Sequence, residues 1–199
     1  MDFTKTQTYL NLARSFAGES QAGMRYQLIA RTAMQQGYEA LANTIRTLAK
    51  NETNHARVFF EALLKHAGSQ DNIQIEAGYP FHSGTIEESL RFAAEDERNE
   101  HERIYPNFAK IAREEGCAQI ALKFEQIAKV ESHHEIIFNY LYEALKNGTL
   151  YSADQPVLWV CGECGHMHTT NSAWNICPLC GASQGEVQLH LPFAQTDIS

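Results

Sequence analysis

Between Thr4 and Asn147 the apolar residues recur at alternating steps of three and four, the spacing that lays a stripe along one face of an α-helix. Four such seams are legible. The first reads Leu12, Phe16, Glu19, Gly23, Tyr26, Ala30, and the second Leu41, Ile45, Leu48, Glu52, His55, Phe59. The third reads Leu90, Ala93, Glu97, Glu100, Ile104, and the fourth Phe124, Ile127, Glu131, His134, Phe138, Leu141. Gly37, Gly116, Gly148 and the Gly/Pro-bearing stretch from Ala67 to Thr85 divide the region into four segments of roughly 30 residues each. Two short connections and one long one predict an up-down pair, a crossover between helices 2 and 3, and a second up-down pair. That is a four-helix bundle over residues 1–147. Thr85-Ile86-Glu87-Glu88 predicts a capping box at the start of the third helix.

Each seam is interrupted near its middle by carboxylates, and two also carry histidine. The second and fourth repeat each other: a shift of 79 positions turns Ile45, Leu48, Glu52, His55 and Phe59 into Phe124, Ile127, Glu131, His134 and Phe138. Two helix pairs related by a pseudo-twofold would bring both Glu-x-x-His units to one level of the core.

After Asn147 the helical period ends. Residues 148–157 read as a linker, and 158–199 as a small β-rich module with few apolar residues: Trp159, Val160, Trp174, Ile176, Val187, Leu189, Leu191 and Phe193. A core that small needs a metal or disulfides to hold it.

Charge narrows the partners. Sixteen Lys and Arg stand against 24 Asp and Glu, a net charge of -8, which disfavours nucleic acid and anionic membranes. All basic side chains other than histidine lie at or before Lys146, so residues 148–199 carry only Asp154, Glu163, Glu186 and Asp197 as charged side chains. The longest apolar runs are too short to span a bilayer. The start, Met1-Asp2-Phe3-Thr4-Lys5, lacks the pattern of a secretory leader, so a cytoplasmic location is expected.

Five seam carboxylates (Glu19, Glu52, Glu97, Glu100, Glu131) at one level of an apolar core would repel one another, and burying each costs several kcal/mol. The seams offer no Lys or Arg to pair them, only His55 and His134. Two metal cations resolve the conflict. Five carboxylates supply a charge of about -5, against about +4 from two Fe(II), or from two Fe(III) with an oxo bridge. Glu52 with His55, and Glu131 with His134, stand three apart and so share a helix face. Glu95 and His133 fall off the seams and are rejected as ligands. Cys117 reads as a helix-end residue.

Cys161-x-x-Cys164 and Cys177-Pro-Leu-Cys180 form two thiolate knuckles able to close a tetrahedral site. Gly162, Gly165 and Gly181 beside them suit tight turns. Four thiolates fit zinc or iron; a redox-capable dimetal neighbour favours iron.

A carboxylate-rich four-helix bundle followed by paired cysteine knuckles resembles the rubrerythrin family over nearly the whole chain. The matching residues are Glu19, Glu52-Thr-Asn-His55, Glu97-Arg-Asn-Glu100, Tyr105-Pro106-Asn-Phe108-Ala109, Glu131-Ser-His-His134 and the four cysteines. The resemblance implies a ferritin-like domain holding a non-haem di-iron centre, oxo-bridged when oxidised, and a rubredoxin-like domain holding one Fe(Cys)4. It further implies that Glu52 and Glu131 bridge the irons, with Glu19 and Glu100 terminal on one and Glu97 and His134 on the other. His55 would exchange with Glu100 as the redox state changes, and Tyr26 and Tyr105 would lie behind the ligands. Two departures stand out: Glu95-Asp96 before the Glu-x-x-Glu pair, and His166 where the knuckle commonly has an aromatic residue.

The expected activity is reduction of hydrogen peroxide to water, a defence against oxidative stress, with electrons relayed through the cysteine-bound iron. No nucleotide-binding motif is present, so the electrons must come from outside the chain, through a separate NAD(P)H-dependent reductase or a small redox carrier. The alternatives are a ferroxidase with a structural zinc module, and a non-enzymatic metal-holding protein. The family resemblance also implies a homodimer.

Overall fold

The computed structural model describes residues 2–192. Phe193 and Asp197, counted above in the module, lie outside the described residues, as does Met1. The helices are α1 (Gln7–Gln35), α2 (Glu39–Ala67), α3 (Ile86–Asn99), α4 (Tyr105–Glu114) and α5 (Ala118–Lys146), with a π-helical turn at Glu100–Ile104 joining α3 to α4. The third expected helix is therefore two helices set end to end through that turn. α1 packs along α2, and α3 and α4 pack along α5.

The seams are buried as their spacing demands, with two differences. Phe16 faces outward and stacks on Phe60 at 5.3 Å, while Ser15 takes the inward position; both choices satisfy a three-four rhythm, and only the packing partner decides between them. On the third seam Tyr105 is buried and Ile104 half-buried, a slip of one residue. The π turn is the cause, since it inserts one residue per turn and rotates everything after it.

The core lies in two apolar clusters. One contains Tyr26, Leu41, Ile45, Leu90, Phe138 and Leu141. The other contains Leu12, Phe59, Tyr105, Ile120, Phe124 and Ile127. Along the helices the acidic residues fall between these two sets, so the carboxylate layer is sealed at both ends by hydrocarbon.

The crossover from Gly68 to Thr85 has no regular structure and is tied to α1 by side-chain bonds. Arg14 Nε donates to the Glu76 carbonyl at 3.0 Å, and the Tyr79 hydroxyl donates to the Arg14 carbonyl at 3.0 Å. The capping box forms: Thr85 Oγ1 accepts from Glu88 N at 3.1 Å and Glu88 Oε2 accepts from Thr85 N at 2.9 Å. The opposite end of the bundle is fastened by Glu115, whose carboxylate accepts from Gln7 N and Thr8 N, both at 2.8 Å, at the positive end of α1.

In the module, β1 (Ser152–Val160) pairs antiparallel with β2 (Met167–Ser172). β1 begins inside the stretch that reads as linker. Its register is irregular between Ser152 and Val157, where Pro156 has no N–H to donate. The module seats on the α1–α2 turn: Leu189 and Leu191 pack against the first apolar cluster, and a Cβ at Gly185 would collide with the Gly37 carbonyl and the Glu39 carboxylate. Among the described residues, no helix is long and apolar enough to cross a membrane.

Candidate metal centres

Glu19 comes from α1, Glu52 and His55 from α2, Glu97 from α3, and Glu131 and His134 from α5. Glu19, Glu52, Glu97, Glu131 and His134 are each no more than 2% exposed. Their ligand atoms form two groups in which all members lie within 4.8 Å: Glu19, Glu52, His55 and Glu131, and Glu52, Glu97, Glu131 and His134. Glu52 and Glu131 belong to both, which is the arrangement of two shared carboxylates between two metal positions.

His134 Nδ1 lies 2.8 Å from Glu52 Oε1 and 2.8 Å from Glu131 Oε2. His55 Nδ1 lies 2.9 Å from Glu131 Oε1. Close as they are, Glu19 Oε2, Glu52 Oε1, Glu97 Oε2, both Glu131 oxygens and His134 Nδ1 make no aligned hydrogen bond. Buried polar atoms left that way are costly, on the order of 1–3 kcal/mol each. Ligand atoms crowded within 4.8 Å of one another, yet leaving one another unsatisfied, fit a place for metal ions. The donor set, carboxylates with imidazole, suits iron.

Without metal the layer is electrostatically strained. Burial pushes Glu19, Glu97 and Glu100 well above the usual carboxylate range, and their carboxylate neighbours push them further. Burial also opposes charge on Glu52, but the close imidazoles of His134 and His55 outweigh it and hold Glu52 down at about 2. Burial likewise disfavours charged imidazole, yet the facing carboxylates raise His55 to about 12 and His134 to about 9. Ligation requires these groups deprotonated, so metal uptake is expected to release protons.

Each terminal glutamate is held by a tyrosine. The Tyr26 hydroxyl donates to Glu97 and the Tyr105 hydroxyl to Glu19. Tyr26 shares the inward face of α1 with Glu19, and its bond crosses the bundle to Glu97 on α3. Tyr26 follows Glu19 by seven residues and Tyr105 follows Glu97 by eight, the extra residue being the π turn's insertion.

Glu100, which the resemblance makes a terminal ligand, stands outside both ligand groups, and His55 occupies the fourth place beside Glu19. Glu100 is half-buried and lines a cavity of about 350 Å³ under the crossover. Glu95 is exposed and pairs with Arg91 at 2.6 Å; His133 is exposed. Cys117 precedes α5 as its N-cap residue and joins no cluster. Asn51, which sequence reasoning passed over, reaches His134 across the core; its only signal was its place one residue before Glu52.

The four cysteines form one group. Cys161 Sγ lies 3.8 Å from Cys180 Sγ and Cys164 Sγ 3.7 Å from Cys177 Sγ. A disulfide would bring sulfurs to about 2.05 Å, whereas a tetrahedron of bonds of about 2.3 Å has edges near 3.8 Å. The two knuckles repeat: Gly165 N donates to Cys161 O, and Gly181 N to Cys177 O. Both glycines sit at positive φ, +72° and +78°, where a side chain is strained. Gly162 is not at positive φ; its N–H donates to Glu186 O at 2.9 Å, so close backbone approach is its reason. His166 packs on Trp174 with centroids 5.1 Å apart.

Fold and sites together define a ferritin-like carboxylate bundle with a di-iron centre, joined to a rubredoxin-like Fe(Cys)4 knuckle pair. Residues 11–142 match the family described as Rubrerythrin, and residues 159–186 match its rubredoxin-like domain. The chain belongs to the rubrerythrin family, whose members are generally oxidoreductases. It is 39% identical to a rubrerythrin of Clostridium perfringens over 88% of this chain and 90% of that one. It is 37% identical to a rubrerythrin of Porphyromonas gingivalis, over 91% and 88% of the two chains. Partially reduced nigerythrin shares the fold at a TM-score of 0.63 and 22% identity, covering 94% of this chain and 90% of that one. A bacterioferritin of Desulfovibrio desulfuricans does so at 0.65 and 23% identity, covering 74% of this chain and 85% of the other.

Proposed function

We propose that this chain is a peroxidase that reduces hydrogen peroxide to water, with Glu52 and Glu131 shared between two irons, Glu19 and His55 completing one and Glu97 and His134 the other. When bound, the di-iron centre supplies two electrons and Lewis acidity toward peroxide oxygens. The protein's part is to hold the acid layer dry between two apolar clusters and to orient the terminal glutamates through Tyr26 and Tyr105. Glu100, outside both ligand groups, would be the carboxylate that replaces the imidazole of His55 when the centre gains positive charge.

The observation that carries this reading is the position of Glu100, outside the ligand groups yet at the wall of an open cavity. A site built for storage has no need of a spare ligand at its mouth. The test is anaerobic mixing of reduced protein with hydrogen peroxide. One peroxide consumed per di-iron centre oxidised, followed spectroscopically, supports the reading. Oxidation of many Fe(II) per chain with little peroxide consumed replaces it with ferroxidase chemistry.

The seat of the module supports a particular route of electron supply. It seats beside Glu39, and Glu52 is thirteen residues farther along α2, about 20 Å at 1.5 Å per residue. That gap favours delivery from the module of a second copy in a homodimer. The module's acidic, lysine- and arginine-free surface suits an external donor with a basic face, a reductase fed by NAD(P)H or a small carrier.

A further inference from the structure

We infer that the cavity between α1, the crossover and the π turn is a binding site for alkyl hydroperoxides, so that the substrate class extends beyond hydrogen peroxide; this rests on the peroxidase reading. The cavity measures about 350 Å³, within the range of roughly 300–1,000 Å³ typical of small-molecule sites. Hydrogen peroxide, little larger than water, needs no such space. Its walls include Tyr79, Pro80, Ile104 and Phe108, rings and a branched chain that suit an alkyl or aryl tail.

The polar groups gather where the oxygens of such a substrate would lie. Glu100 and Tyr105 line the cavity, and Tyr105 is the residue whose hydroxyl holds the ligand Glu19. Ser15, also lining it, is 4% exposed and its hydroxyl has no hydrogen-bond partner. A buried hydroxyl with nothing to bond is a group waiting for a ligand. Its place on α1, one turn before Glu19, sets it between the tail pocket and the metal layer.

The reaction balances as ROOH plus two electrons plus two protons to ROH plus water. The O–O bond breaks, one oxygen leaves as water and the other stays on carbon as the alcohol. The electrons are those the proposed function already supplies, and the protons come from solvent.

Two variants test the site. Asn107 lies exposed among the lining residues, so Asn107→Trp narrows the cavity without disturbing the core. Ser15→Ala removes a hydroxyl that has no partner in the free protein, so the fold tolerates it. The intact protein is assayed with hydrogen peroxide and cumene hydroperoxide, and its binding of 2-phenyl-2-propanol, the alcohol product, is measured by titration calorimetry. Asn107→Trp is expected to raise KM for cumene hydroperoxide about tenfold while hydrogen peroxide changes less than about twofold, and Ser15→Ala to weaken alcohol binding by about tenfold. Turnover of hydrogen peroxide with none of cumene hydroperoxide, equal effects of Asn107→Trp on both peroxides, or no binding of the alcohol would each overturn this inference and leave the peroxidase reading standing. Failure to reduce any peroxide overturns both.

Discussion

The side-chain amide of Asn51 meets the Nε2 of His134 at 3.3 Å, across the core from α2 to α5. The contacting atom is Asn51 Nδ2. His134 presents Nδ1 to the carboxylate layer, so in the loaded protein Nδ1 is unprotonated and Nε2–H must donate, which requires the Asn51 amide turned over so that its oxygen accepts. The residue related to Asn51 by the 79-position shift is Val130, which can accept nothing. Among the described residues His55 Nε2 makes no hydrogen bond, so the two histidines are tethered unequally. Asn51→Leu is therefore expected to weaken metal retention by about 10- to 100-fold in competition with a chelator, and Asn51→Asp to preserve it.

Glu52 and Glu131 belong to both ligand groups, whereas Glu19 belongs to one. Replacing Glu131 with Ala should lose both irons of the bundle and leave the cysteine-bound iron. Replacing Glu19 with Ala should lower occupancy chiefly at the position it shares with His55. Metal analysis per chain after anaerobic loading decides; two bundle irons retained by Glu131→Ala would refute the shared-carboxylate arrangement.

The two centres are separable in kinetics. Cys161→Ser should leave one round of peroxide reduction by pre-reduced protein intact, because the bundle holds the two electrons that round consumes. Continuous turnover from an external donor should fall by an order of magnitude or more. Stopped-flow and steady-state measurements on the same sample distinguish the phases, and undiminished steady-state turnover would remove the relay from the account.

Glu115 gives stability a defined pH dependence. Burial alone would raise its pKa, but bonds from the Thr8 hydroxyl and from the Gln7 and Thr8 backbone N–H groups outweigh burial and hold it below the ordinary glutamate range. A carboxyl with a depressed folded pKa stabilises the fold above its unfolded pKa, and the contribution is lost as pH falls through the folded value. Glu115→Gln is expected to lower stability at neutral pH by about 1 kcal/mol. The difference in Tm between the variant and the parent should shrink once the pH drops below about 4. A difference that stays constant through that range would exclude the carboxylate charge as its source.

Much of this was legible in the chain because burying acids is expensive enough to leave a mark. Glutamates on apolar seams, repeated with their histidines at a fixed shift, announced the bundle, its pairing and its metal layer together. The cysteine knuckles were equally plain. Phe16 was misplaced because Ser15 and Phe16 both fit a three-four rhythm, and hydrophobicity favoured the wrong one. The start of β1 was hidden by Pro156, which reads as a loop residue. The π turn was missed because its evidence is a comparison rather than a motif: Tyr26 follows its glutamate by seven residues and Tyr105 by eight. The separation of Glu100 from the ligand groups had no sequence signal, since its spacing from Glu97 suits a ligand.

The extra residue at Glu100–Ile104 has a consequence for how this helix tolerates change. Upstream of it, phase is dictated by Glu97; downstream, by Tyr105 reaching back to Glu19. Deleting one residue there would let an ordinary α-helical turn close in its place, setting the tyrosine seven residues after Glu97, as Tyr26 stands after Glu19, and keeping α4 in phase with α3. The turn is an insertion absorbed in place, and a shortened variant is expected to be a well-folded bundle whose α4 still packs Tyr105, Ala109 and Ala112 in the second apolar cluster.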